Sequence, residues 1–149
     1  MVVGYRSCDT VQMMPLVEKS SATLGFYGDD LDPSEITARL GAAPSFEVRK
    51  GDERASRVER IARTGRWMLS AEDRSPADLN GQINDLLDGL TDDLSIWRPL
   101  SERFDGRVYC GLFLASANEE VDISRETLAH IVDRGLYLGL DIDGHGRSD

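Results

Sequence analysis

ATLGFY at residues 22–27, followed by LDPSEI at residues 31–36, is an apolar strand pattern that runs into the start of a helix. The same order returns as VYCGLFL at residues 108–114 followed by ISRETL at residues 123–128. In each case a cap residue, Asp32 or Ser124, can accept a hydrogen bond from a backbone N–H that the first helical turn leaves without a partner. The chain therefore predicts two strand–helix pairs.

The two predicted helices also share how they start and end. The apolar residue before each cap can pack on the one four positions after the cap, Leu31 on Ile36 and Ile123 on Leu128. Glycine follows each helical pattern, at residues 41 and 135, and glycine adopts the left-handed backbone that commonly ends a helix. Both helices therefore have recognisable limits.

Further elements are predicted between and after these pairs. Residues 45–49 form a short strand or an edge segment, and residues 65–70 a second strand in which we expect Trp67 to be buried. Leucine and isoleucine at helical spacing over residues 79–90 predict a long amphipathic helix. Asp92 and Asp93 can cap another helical segment, whose regularity Pro99 limits. Alternating apolar residues predict a last strand over residues 136–143.

This order of elements predicts an α+β domain with a ferredoxin-like sandwich, built from two β-α-β halves with a helical insertion between them. We expect an antiparallel sheet with helices on one face and with the strands near residues 20–27 and 107–115 in its centre. Residues 1–19 are predicted to be a loosely ordered leader, residues 20–143 the single domain, and residues 144–149 a polar tail.

The composition is that of an ordinary water-soluble domain, with 40% hydrophobic and 30% charged residues. No apolar run approaches the about 20 residues that a membrane helix needs, so no membrane partner is expected. The first residues are too weakly apolar for a secretory signal, which favours a cytoplasmic location. In a reducing compartment, Cys8 and Cys110 are predicted to be idle thiols rather than a disulfide.

The formal net charge is −10. Acidity of this kind argues against a general nucleic-acid-binding protein, because the phosphate backbone favours clustered Lys and Arg. It suits a soluble domain, or a protein whose partner is basic.

An arginine-rich segment at residues 49–66 departs from this acidity. It holds seven cations against three carboxylates, a net charge of +4, with arginines at every third position after residue 51. These are candidates for contact with an anion, a phosphate or a partner: Arg54, Arg57, Arg60, Arg63 and Arg66. The alternative is a solvated loop whose arginines pair with the acidic remainder of the chain.

Two acidic clusters follow the two apolar strands. We expect both clusters to leave the same end of adjacent central strands, where they could gather around a divalent cation or a basic partner. The alternative is that these carboxylates stabilise the positive N-terminal ends of the helices that follow. The members are Asp29, Asp30, Asp32, Glu119, Glu120 and Asp122.

No familiar catalytic or metal-binding pattern is present. His130, His145, Cys8 and Cys110 lack the short spacing of metal ligands. No nucleophile elbow, Walker loop or dinucleotide-binding glycine motif occurs. We therefore expect no cofactor and favour a protein that is not an enzyme.

Several segments together resemble a bacterial family of domains of unknown function, number 4279. They are ATLGFYG at residues 22–28, LDPSEITARLG at 31–41, KGD at 50–52 and TGRW at 64–67. Ile123-Ser124, Leu128-Ala129 and GLYL at 135–138 are similar to the C-terminal half of that family. The resemblance covers roughly residues 20–143, and it implies no activity and no catalytic residues.

The sequence thus favours a small, non-enzymatic domain that binds another protein, as acidic bacterial immunity proteins do with basic partners. One alternative is a regulatory domain that binds a small anionic ligand through residues 49–66. Another is an enzyme with a carboxylate site of an unfamiliar kind.

Overall fold

The computed structural model describes residues 17–53 and 61–144. They form a five-stranded mixed sheet in the order β2-β3-β1-β4-β5. The strands are β1 (Lys19–Gly28), β2 (Phe46–Val48), β3 (Gly65–Ser70), β4 (Asp105–Phe113) and β5 (Tyr137–Asp143). The helices of the described residues are α1 (Pro33–Leu40), α2 (Leu79–Asp88), α3 (Leu94–Arg103) and α4 (Arg125–Asp133). The chain is therefore an α+β protein.

The sheet differs from the expected antiparallel one. β1 pairs antiparallel with both β3 and β4, as expected for a central strand, but β5 pairs parallel with β4 across helix α4. The short strand β2 reverses the chain before β3, so β3 runs antiparallel to β1 and cannot close a β-α-β half with it. The predicted placement of residues 65–70 with β1 in the first half is therefore wrong, and the ferredoxin-like arrangement is not confirmed.

The predicted helix limits are confirmed. The Asp32 carboxylate accepts a hydrogen bond of 3.0 Å from the Ser34 N–H, and the Ser124 hydroxyl accepts one of 3.1 Å from the Thr127 N–H. Gly41 and Gly135 have φ angles of 91° and 74°, the left-handed region in which glycine has no Cβ to clash. Local chemistry alone therefore places both helices.

The core lies between the sheet and the helices. Trp67 and Trp97 are fully buried on either side of Phe26, whose ring centroid lies 6.4 Å from that of Trp67 and 6.3 Å from that of Trp97. The indole N–H of Trp67 donates to the Thr37 hydroxyl at 3.0 Å, so the buried polar atom is satisfied. The prediction that Trp67 is a core residue is confirmed.

Two apolar stripes are less buried than their periodicity suggests. On α4, Ile131 is buried, but Leu128 and Val132 are 41% and 69% exposed. On β5, Leu140 and Ile142 are 46% and 57% exposed, because β5 is the edge strand next to β4. The expected packing of Ile123 on Leu128 therefore does not bury Leu128.

Other features complete the description of the chain. Val17 is buried and β1 begins at Lys19, whereas residues 1–16 of the predicted leader and residues 145–149 of the tail lie outside the described residues. Burial raises the pKa of the Cys110 thiol to about 12, which makes it unreactive at neutral pH. Within the described part of the chain, no helix is long and apolar enough to cross a membrane.

Candidate functional site

The candidate site is the face of the sheet that carries no helix among the described residues, which we call the open face. Along β1 and β4, alternate side chains are buried under the helices, and those between them are partly or largely exposed. The strand register brings exposed residues of all five strands onto this surface. Its larger side chains are Lys19, Tyr27, Phe46, Arg66, Met68, Asp105, Arg107, Tyr109, Phe113 and Tyr137.

Aromatic rings on the open face lie across glycines. A Cβ added to Gly25 would lie 2.6 Å from the Tyr27 hydroxyl oxygen, and one added to Gly139 would lie 3.1 Å from the Tyr109 ring. Both rings therefore lie close to the backbone instead of projecting straight into solvent, the arrangement in which an aromatic side chain covers a glycine in a sheet. The lack of a Cβ at Gly25 and Gly139 gives these two rings the room to lie against the backbone.

Cations stand beside aromatic rings at three places on the same face. The Lys19 Nζ lies 5.1 Å from the ring centroid of Phe113. The Arg107 and Arg66 guanidinium carbons each lie 5.5 Å from a centroid, that of Tyr137 and that of Phe46. Such contacts contribute about 0.5–1 kcal/mol at exposed sites, so they order long side chains against the sheet.

A hollow of about 440 Å³ lies at the centre of the open face, lined by Tyr27, Met68, Asp105, Arg107 and Tyr109. The Arg107 guanidinium donates to the Asp105 carboxylate at 2.7 Å. Its Nε is buried and has no hydrogen-bond partner among the described residues. Burial raises the pKa of the Tyr27 phenol, so the hydroxyl stays protonated and can donate a hydrogen bond at neutral pH. The hollow is suited to polar and aromatic contacts.

The described part of the arginine-rich segment places one of its arginines on this surface. Arg66 lies on the open face beside Phe46, and Arg63 is exposed outside the strands. Arg54, Arg57 and Arg60 lie outside the described residues.

The start of the arginine-rich segment is fastened to the turn after β1. The Arg49 guanidinium contacts the Asp32 carboxylate at 2.7 Å, and the Lys50 ammonium contacts Asp29 at 3.1 Å. Hydrogen bonds from Lys50 and from Ser34 hold the pKa values of Asp29 and Asp32 below their ordinary value. These two carboxylates therefore have structural partners.

The acidic clusters do not converge, so the expectation that they leave the same end of the sheet is wrong. β1 and β4 are antiparallel, with Tyr27 opposite Asp105 and Lys19 opposite Phe113. Asp29, Asp30 and Asp32 follow the end of β1, whereas Glu119, Glu120 and Asp122 follow the end of β4, about 25 Å away along the strands. A shared carboxylate site is therefore excluded by geometry.

The described residues also hold no group of three or more His, Cys, Asp or Glu side chains placed to bind a metal ion. His130 is hydrogen-bonded through Nδ1 to the Asn84 side-chain oxygen at 2.9 Å, a contact between α4 and α2. The role of this histidine is thus to join two helices.

Sequence reasoning missed the open face, although a signal for it was present. Tyr109, Gly111 and Phe113 alternate with the buried Val108, Cys110 and Leu112, so their side chains had to lie on the other face. Aromatic and glycine residues at alternate positions of a central strand, where polar residues are usual, indicate an exposed surface with a special composition.

The comparisons with known proteins agree with the resemblance seen in the sequence. No curated protein matches the chain, and no solved structure matches it. The model of the family described as Domain of unknown function (DUF4279) matches residues 18–145, which include all five strands and all four helices described above. The chain therefore belongs to the DUF4279 family.

Proposed function

We propose that this domain is a non-enzymatic protein-binding module whose partner docks on the open face. The observation that carries the proposal is the row of exposed aromatic side chains on a sheet face that no helix of the described residues covers. Phe46, Tyr109, Phe113 and Tyr137 are 36–65% exposed and belong to three strands and both edges of the sheet. Exposed apolar patches of this extent mark interaction surfaces.

The composition of the open face favours a protein over a small molecule. Tyrosine, phenylalanine, methionine and arginine are enriched at protein interfaces and provide most of their hot spots. The side chains are spread across the full width of the sheet, and the hollow between Tyr27 and Tyr109 is a shallow part of that surface. The tyrosines that lie across glycines are ordered before binding, which lowers the entropic cost of association.

The net charge of the chain supports a basic protein as the partner. The whole chain carries −10, whereas on the open face the carboxylates of Asp105, Asp141 and Asp143 are matched in number by three cations, those of Lys19, Arg66 and Arg107. A negative field speeds the approach of a basic protein. An immunity-like role, in which the domain neutralises a basic toxin, is the special case that the net charge and size support. The proposal places the domain in the cytoplasm, where the free thiol of Cys110 stays reduced.

The sheet order supports a further proposal on the fold. The chain contains two units, β1-α1-β2 and β3-α2-α3-β4. Their strands alternate across the sheet in the order β2-β3-β1-β4, so a strand of one unit lies between the two strands of the other. We propose that they form a ferredoxin-like core, to which α4 and β5 add one parallel strand.

The protein-binding proposal is tested by exchanging aromatic residues of the open face. A partner captured with the wild-type chain from its own cells, and then purified, should bind Tyr109→Ala and Phe46→Ala at least about tenfold more weakly in calorimetry. Ile61→Ala is the matched control, because Ile61 is 58% exposed but lies outside the strands. If the wild type and all three variants bind the partner with equal affinity, the assignment of the open face is overturned.

A second candidate, binding of a small anionic ligand, rests on the Arg107 Nε, which is buried beside the hollow without an acceptor among the described residues. Under this candidate the wild type binds pyrophosphate or heparin at low salt, and Arg107→Ala weakens binding. The triple change of Arg57, Arg60 and Arg63 to Ala tests the arginine-rich segment in the same assay, with little effect on folding expected. A wild-type chain that binds neither probe at about 20 mM salt would reject this candidate, since salt screens such contacts least there.

A further inference from the structure

The edge of the sheet at β5 presents backbone groups without a neighbouring strand among the described residues. β5 is last in the strand order, and the opposite edge, β2, has only three residues. The Leu114 N–H donates to the Asp143 carbonyl, so Asp143 and every second residue before it direct their backbone groups toward β4. The N–H and C=O groups of Leu138, Leu140 and Ile142 consequently point away from the sheet. Edges of this length are usually shortened, charged or covered.

The side chains at this edge are apolar on the helix side. Leu140 and Ile142 are 46% and 57% exposed there, whereas the carboxylates of Asp141 and Asp143 lie on the open face. The edge thus combines free hydrogen-bonding groups with apolar side chains that the helices leave uncovered.

Helix α4 adds to the same apolar surface. Leu128 and Val132 are one helical turn apart and are 41% and 69% exposed. The other flank of α4 is joined to α2 through the hydrogen bond between His130 and Asn84. Because α4 lies between α2 and the sheet edge, Leu128 and Val132 are on the flank nearer the outer side of β5.

We propose that a second copy of this chain pairs with β5, edge to edge and antiparallel, about a two-fold axis at Leu140. Leu140 is the midpoint of β5, so this register uses the whole strand. Leu140 then faces Leu140 of the second copy, and Leu138 faces Ile142. All these residues have outward backbone groups, so each facing pair exchanges two hydrogen bonds, about six in total. The two sheets become one of ten strands.

The charges favour this register over those shifted toward the C-terminal end of β5. With the axis at Leu140, Asp141 faces Gly139 of the second copy and Asp143 faces Tyr137, which lies beside Arg107. With the axis at residue 141 or 142, a carboxylate would face a carboxylate across the strands, which destabilises a pair. A like-charged chain of −10 can therefore associate here without direct contact between carboxylates.

The proposal is tested by sedimentation equilibrium of the full chain over a range of concentrations. We expect a monomer–dimer equilibrium, which Ile142→Lys shifts to monomer with at least a tenfold rise in the dissociation constant. Ile61→Lys is the matched control, because Ile61 is 58% exposed and lies away from β5, and it should leave the equilibrium unchanged. A monomer up to about 100 μM, or equal loss of dimer with both variants, would overturn the proposal.

The register is tested by cross-linking. Facing residues of a hydrogen-bonded antiparallel pair have Cα atoms about 5.5 Å apart, within the range that a disulfide spans. In a Cys8→Ser background, Leu140→Cys should form a disulfide-linked dimer under mild oxidation. Tyr109→Cys, at a site that is also 46% exposed, should not. Equal cross-linking of both variants would overturn the two-fold axis at Leu140.

Discussion

The Ser20 hydroxyl donates a hydrogen bond of 2.5 Å to the side-chain oxygen of Gln82, and both residues are fully buried. The Gln82 amide nitrogen in turn donates to the carbonyls of Ser20 and Glu72, at 3.0 Å and 2.8 Å. The buried Gln82 side chain therefore joins α2 to β1 and to the turn after β3. Its oxygen and both N–H groups have hydrogen-bond partners.

Gln82→Ala is expected to lower the free energy of unfolding by about 1–3 kcal/mol, because it removes the acceptor of the Ser20 hydroxyl proton and a buried donor to the carbonyls of Ser20 and Glu72. Urea denaturation followed by tryptophan fluorescence measures the change. Asn118→Ala, at an exposed amide, is the control. A loss no larger than the control's would show that water replaces the Gln82 side chain.

Trp67→Ala should cost about 3–5 kcal/mol, the range for removing a core aromatic side chain. The ring is fully buried and contacts Phe26 edge-on. Trp67→Phe keeps most of the apolar volume and removes the hydrogen bond to Thr37, so it should cost less than Trp67→Ala. Calorimetric melting of the two variants separates packing from hydrogen bonding, and an unchanged melting temperature for Trp67→Ala would contradict the burial.

The two helix caps give a prediction that distinguishes capping from charge. Ser124→Ala should destabilise the domain by about 0.5–2 kcal/mol through loss of the bond to the Thr127 N–H. Asp32→Ala should lower the melting temperature, whereas Asp32→Asn retains a good cap and loses the ionic contact with Arg49. If Asn and Ala at position 32 lower the melting temperature equally, the ion pair, rather than the cap, accounts for the effect.

Acid is expected to destabilise the domain through paired carboxylates. A hydrogen bond from Arg103 holds the pKa of Glu35 below its ordinary value, and one from Ser34 does so for Asp32. A lowered pKa in the folded state means that stability is complete above the unfolded pKa and is lost as the pH falls through the folded one. The urea midpoint should therefore decrease as the pH falls below about 4.5.

Glu35→Gln should make the fall of the urea midpoint in acid smaller. Glu102→Gln, at an exposed carboxyl without an ion-pair partner among the described residues, should leave this fall unchanged. A midpoint that is constant down to pH 3 would contradict the assigned role of these ion pairs.

The elements were predictable where local chemistry decides them. The limits of β3 at Gly65 and Ser70 agree with the prediction from sequence, and so do both caps. The sheet order was not predictable in the same way, because the three-residue strand β2 reverses the chain direction before β3. The exposure of the β5 side chains depends on which strand lies beside β5. The periodicity of the sequence does not contain that information.

The candidate site was predicted only in part. The basic segment predicts Arg66 as a contact residue, and Arg66 lies on the open face, whereas the apolar pattern predicts Tyr27 and Tyr109 only as strand residues. The prediction that both acidic clusters leave one end conflicts with the antiparallel sheet that the same sequence predicts, because an antiparallel pair of strands places them at opposite ends. Composition identified unusual segments, but only the topology determines which of them meet.

The pairing of β1 with β4 has a consequence for synthesis of the chain. The Gly111 N–H donates to the Ser21 hydroxyl, ninety residues earlier, so the central strand pair closes a very long loop. At about 5–20 residues per second, β1 leaves the ribosome roughly 4–17 s before β4 does. During that time β1 can pair with β3 on one edge, but its other edge has no β4 to pair with. Translation must pass β4 before the central sheet can form.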